Sequence, residues 1–263
     1  MKRVSILTMS FIVLLTFGWA QAQQLKTIKL NTPNMKRGSS LMEALSKKAS
    51  TQSWADKDLS MQDISDLLWA AAGVNRPDNK KRVFSTAMNA QDVDVYVFMK
   101  DGVYLYDYIN HALTPVLSGD HRQDISSSLS MGGGGRGGAP GGPPGEAAGG
   151  ARGGAPGGAP ESGPGGTPGG RPGGGAGGER NSSFAIDILL VGDPTKYRAG
   201  TDDLKSEWSA LAAGSISQNI LLFCAANDLG GRPRAAFDKA TIKNLLNLKE
   251  TQNPILEIPV GYK

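Results

Sequence analysis

Between Gly132 and Gly178 the chain carries 25 glycines and 8 prolines in 47 positions, with no aromatic and no large aliphatic residue. Such a stretch has almost no apolar surface to offset the entropy lost on ordering its backbone. It predicts a flexible, disordered insert at 132–178 and leaves two foldable blocks, 23–131 and 179–263. Collagen needs glycine at every third position, and Gly-Gly-Ala-Pro-Gly-Gly-Pro-Pro-Gly over 137–145 breaks that register. The glycine spacings lack the flanking strand and helix of a dinucleotide fingerprint. Arg136, Arg152 and Arg171, without aromatics, are too sparse for an arginine-glycine RNA segment. The two blocks together have the size of one domain. A long insertion into one fold is tolerable because loop-closure entropy grows slowly with length.

The N-terminus predicts export. Lys2 and Arg3 precede an apolar stretch over 6–17, and Ala20-Gln21-Ala22 gives the small-x-small cleavage pattern. The apolar stretch is about a dozen residues, whereas a spanning helix needs roughly 20. The expectation is a signal peptide over 1–22, cleavage near Ala22, a periplasmic or secreted protein, and no stable membrane anchor. Cys224 is the only cysteine, so no intramolecular disulfide can form. Its apolar neighbours over 220–225 suit a buried small residue rather than a reactive thiol. The formal charge is +4, and losing Lys2 and Arg3 lowers it to +2. This small excess of bases is not a basic face, so nucleic acid is not an expected partner.

Helices are expected at 40–49, at 61–72 capped by Ser60 and stopped by Gly73, over 203–227, and at 241–248. In the second, Ile64, Leu67, Leu68 and Ala71 share one face. Val93, Val95, Val97 and Met99 alternate with Asp94, Tyr96 and Phe98 as a strand. Lys100-Asp101-Gly102 turns the chain into a returning strand over 103–106. The runs 184–191 and 255–260 read as further strands, and Gly230-Gly231 as a helix stop. The fold class is therefore α+β, a sheet covered by helices. Trp69, Trp208, Tyr96, Tyr104 and Tyr106 suit core or interface packing. His111 and His121 lack metal-site clustering, and neither a nucleophile elbow nor a phosphate-binding P-loop is present.

A series of short strings runs in order along both blocks. They include Leu67-Leu68-Trp69-Ala70-Ala71-Ala72-Gly73-Val74-Asn75-Arg76, Lys81-Arg82-Val83-Phe84-Ser85-Thr86-Ala87-Met88-Asn89-Ala90-Gln91, and Gly119-Asp120-His121-Arg122. Gly214-Ser215-Ile216-Ser217-Gln218-Asn219-Ile220, Asp228-Leu229-Gly230 and Ile258-Pro259-Val260-Gly261-Tyr262 follow. Together they resemble the nitroreductase family, in the branch of SagB-type dehydrogenases. The resemblance implies a nitroreductase-like α+β fold with a central antiparallel or mixed sheet flanked by helices. It also implies a homodimer, FMN at the dimer interface, hydride transfer through flavin N5, and a small-molecule or peptide substrate.

The resemblance also assigns residues. The family's Arg-x-Ser-x-Arg flavin pattern falls on Lys48-Ala49-Ser50-Thr51-Gln52, where Lys48 keeps charge without the guanidinium fork and Gln52 has no charge. The pattern Pro-Ser-x-x-x-Asn-x-Gln falls on Phe84 to Gln91, keeping Ser85, Asn89 and Gln91 but not the proline. Arg232 or Arg234 would serve the phosphate. Each has a plainer reading. Lys47 and Lys48 suit a solvated helix end. Ser85 and Asn89 suit an ordinary loop, and Arg232 and Arg234 a solvent-facing turn. The alternative function is a flavin-less nitroreductase-like binding or interaction module with a flexible Gly/Pro arm.

Overall fold

The chain begins with β1 (Ile28–Lys29), a short strand, and reaches α1 (Leu41–Lys47). Ser40 caps α1 by accepting from the Glu43 amide. The helix stops two residues short of the expected end because the chain must turn extended at Lys48 for Ser50 to reach Gly231. α2 (Met61–Ala72) carries a full capping box between Ser60 and Asp63 and ends at Gly73. A small ribbon, β2 (Val74–Arg76) and β3 (Lys81–Arg82), leads to the hairpin strands β4 (Val93–Phe98) and β5 (Gly102–Asp107). β6 (Ala112–Ser118) and α3 (Arg122–Ser127) close the first block. The second block contributes β7 (Ile186–Gly192), α4 (Asp202–Ala226), β8 (Leu229–Gly231), α5 (Lys239–Leu245) and β9 (Asn253–Tyr262).

This computed structural model describes residues 25–127 and 184–263, which fall within one compact unit. The expected signal peptide and the expected disordered insert lie outside the described residues. The strands form one seven-stranded sheet in the order β1-β6-β5-β4-β7-β9-β8, antiparallel at every pairing. β7 lies directly against β4, from Val93 opposite Gly192 to Phe98 opposite Asp187. The two blocks therefore share one sheet, joined at its centre.

Period-two alternation sends side chains to two cores. Val93, Val95, Val97, Ile188 and Leu190 pack with Ile64, Leu67, Leu68, Ile216 and Ile220 of α2 and α4. Tyr96, Phe98, Leu189 and Val191 pack on the other face with Ile125 and Ile242 of α3 and α5. α4 is long and apolar enough to cross a membrane by length and composition, but half of that stretch is buried within the fold. Cys224 lies in this core, where burial pushes its thiol up to about 12.

Several expectations change. Gly230 and Gly231 do not stop a helix; they are strand residues of β8, and α4 already ends at the Asn227 cap. α5 starts earlier than expected because the Asp238 carboxylate accepts from the Ala240 and Thr241 amides. β6 was not expected. Its Pro115 argues against a strand, and it is accommodated beside a register irregularity against β5.

Candidate functional site

The segment after α1 runs extended along the β8 edge. Ser50 bridges Gly231, the Thr51 amide donates to the Gly231 carbonyl at 3.2 Å, and Trp54 Nε1 donates to the Gly230 carbonyl at 3.0 Å. Gly230 is needed there, since a Cβ would fall under 3.0 Å from Thr51 side-chain atoms. The result is a ledge on which Lys48, Ser50 and Gln52 are exposed. Among the described residues, none of these three side chains has a hydrogen-bond or ion-pair partner. Arg232 follows β8 directly. Its amide donates to the Pro259 carbonyl at 3.3 Å, and its guanidinium has no partner among the described residues.

Arg234 is placed differently. Its Nη1 donates to Glu257 Oε1 at 3.0 Å, and the two backbones exchange hydrogen bonds of 2.8 and 2.9 Å. Glu257 is fully buried, so Arg234 is turned to the interior. Asp187, on the neighbouring strand β7, is also fully buried. Burial, then the nearby Glu257 carboxylate, push the Asp187 carboxyl well above its usual range, while Arg234 pulls the other way.

The second group of expected residues lies on the loop between β3 and β4. Ser85 and Asn89 are exposed there. Met88, Asn89 and Gln91 have φ of 53°, 54° and 49°, the left-handed region that costs an L-residue about 1–2 kcal/mol each. The strain is held by local ties: the Asn89 amide to the Thr86 carbonyl at 3.1 Å, and the Gln91 amide to Thr86 Oγ1 at 2.9 Å. Strain of this kind persists where the surroundings over-determine it, and it concentrates at functional sites.

Arg82, not singled out from the sequence, lies at the base of this loop and is buried. Nε donates to the Ala72 carbonyl at 2.7 Å and Nη1 to the Val93 carbonyl at 3.0 Å. Its guanidinium lies 4.6 Å from the Phe84 ring centroid and 4.1 Å from that of Tyr108. Burial lowers it to about 10, so it stays charged at neutral pH. Among the described residues, no hydrogen bond or ion pair joins this loop to the ledge at 48–52.

Other polar groups are structural. His121 bonds Asp124 at 2.7 Å and the Ser118 carbonyl at 3.0 Å, while Arg122 holds the Phe184 and Ala185 carbonyls at the entry to β7. Arg37 ties Asp63, Asp66 and Asn227 together at 2.7–2.9 Å beside a pocket lined by Met35, Trp69 and Phe223. Among the described residues there is no cluster of three or more His, Cys, Asp or Glu side chains that could hold a metal.

Residues 177–262 match the model of the Nitroreductase family. A solved structure from Ralstonia eutropha JMP134, assigned as a nitroreductase, aligns at 24% identity with a TM-score of 0.66, covering 90% of this chain and 89% of that one. One from Anabaena variabilis ATCC 29413, also assigned as a nitroreductase, aligns at 14% identity and TM-score 0.57, covering 84% of this chain and 38% of that one. A chain of the Escherichia coli microcin synthetase McbBCD complex, solved with truncated pro-MccB17 bound, aligns at 16% identity and TM-score 0.58 over 98% of this chain and 84% of that one. No curated protein matches the chain. The fold is nitroreductase-like, and its second block carries the family's sequence pattern.

Proposed function

We propose that this chain is an exported oxidoreductase of the nitroreductase type that binds FMN and works as a homodimer on a small molecule or peptide. The observation that carries the reading is the ledge beside β8, where Lys48, Ser50, Gln52 and Arg232 hold unpartnered polar ends at one sheet edge. These groups fit an anionic, hydrogen-bonding ligand: Lys48 and Arg232 would hold the phosphate, and Ser50 and Gln52 the flavin's polar edge. Ser85 and Asn89, on the strained loop, would line the ring. When bound, FMN supplies a hydride carrier at N5. The chain's own residues would bind it and orient it. Arg234, committed to Glu257, fixes the backbone after β8 rather than the ligand.

Two observations favour a dimer. Leu41, Met42 and Leu45 of α1 and Leu211 of α4 are large exposed apolar residues, and α1 packs on α4. Among the described residues the ledge and the loop share no hydrogen bond or ion pair, and in a dimer one copy's loop would face the other's ledge. Export is proposed from the signal-like first 22 residues alone. If export is in the unfolded state, FMN is acquired outside the cytoplasm, where NAD(P)H is scarce, and the electron donor would be another.

Gln52 favours a second reading, a flavin-less binding module, because the family's pattern carries a charged arginine there. A visible spectrum of the mature chain, before and after adding FMN, separates the two. The oxidoreductase reading predicts a protein-bound flavin band that dithionite bleaches. No retained flavin after excess FMN and desalting would support the module.

A further inference from the structure

Three of the seven left-handed non-glycine residues among those described, Met88, Asn89 and Gln91, lie within four positions of the loop between β3 and β4. Such a loop keeps its shape only if its ends are fixed. Arg82 fixes both. One donor holds the Val93 carbonyl, just past the loop; another holds the Ala72 carbonyl at the end of α2; and the guanidinium packs on Phe84, at the loop's start. Among the described residues no carboxylate lies within ion-pair distance of Arg82, so its contacts are carbonyls and the rings of Phe84 and Tyr108.

We infer that Arg82 is a positioning residue: it clasps the 83–92 loop in the shape that presents Ser85 and Asn89, and Phe84 is the ring that locks the clasp. The pattern this loop resembles has proline at 84. A proline stiffens a loop through its fixed φ. Phe84 stiffens this one through its side chain, by covering a buried cation. Lysine cannot replace Arg82, because it lacks the planar fork that meets two carbonyls while stacking on a ring. The ligand consequence rests on the reading of the loop as flavin-facing; the clasp itself does not.

The test compares Arg82→Lys and Phe84→Leu with the unmodified full chain. Phe84→Leu leaves the two carbonyl bonds in place, so it reports on the clasp even if Arg82→Lys does not fold. Amide exchange is measured without FMN at the hydrogen-bonded loop amides of Asn89, Ala90 and Gln91. Both variants should exchange there about tenfold faster, with β4 and β7 amides unchanged. FMN affinity should fall by about tenfold in step. Unchanged loop exchange would overturn the clasp, and so would exchange raised equally across the sheet. Faster loop exchange with unaltered FMN affinity would overturn its role in positioning Ser85 and Asn89. If the unmodified chain binds no FMN while the loop amides respond, the clasp stands and the FMN reading falls.

Discussion

Asp187 carries its carboxyl into the sheet interior beside Glu257, with Arg234 as the nearby cation. Its proton is retained in the fold at pH values where the unfolded chain has lost it. The native state then binds more protons than the unfolded state, so this residue's contribution to stability falls as pH rises above about 4. Asp187→Asn, nearly isosteric, removes that cost. Thermal melts should show a higher midpoint for the variant, with a gain that grows from pH 5 to pH 8; a constant gain would mean the residue does not hold a proton. At the ledge, Gln52→Arg restores a charge and a fork, and a charge-assisted hydrogen bond of about 1–3 kcal/mol should tighten FMN binding roughly tenfold or more in a fluorescence titration. Lys48, Ser50 and Gln52 were singled out by resemblance to a family pattern, and all three are exposed on the ledge beside β8. The commitment of Arg234 was not legible in the sequence, because its partner Glu257 is 23 positions away and is brought close only by strand pairing.

The elements divide by the range of the forces that set them. α2 was legible to the residue because its cap, apolar face and stop are all local. Ser60→Ala should cost about 1 kcal/mol, read as a lower denaturant midpoint with an unchanged slope. The same cap has an acid signature. Burial alone would raise the Asp63 carboxyl, but hydrogen bonds from Ser60, Tyr262 and Arg37 together hold it down at about 2. A carboxylate lowered in this way adds stability above about pH 4, which is lost as pH falls towards 2. Asp63→Asn should flatten that limb of the stability profile. By contrast, the end of α1 and the strand character of Gly230-Gly231 were set by contact with each other through Ser50 and Thr51. No local pattern announces such a pairing. β1, with two residues, and β6, with an internal proline, were hidden for the same reason.

At the scale of the molecule, the long glycine-proline stretch separates two blocks whose strands meet side by side at β4 and β7. That junction is secured by six paired positions and by side chains on both faces. Deleting 132–178 with a short linker should therefore leave the fold and its melting temperature nearly unchanged; an insoluble or molten product would show that the stretch is part of the structure. Flavin binding at the ledge beside β8 sets the proposed activity, whereas the scaffold does not. That binding is tested most directly by titrating FMN into the chain without residues 1–22 and reading stoichiometry together with oligomeric mass. The account predicts saturation at one FMN per chain in a dimer, with binding weakened by Lys48→Met and by Arg232→Met. Failure to saturate, or binding indifferent to both substitutions, would contradict it.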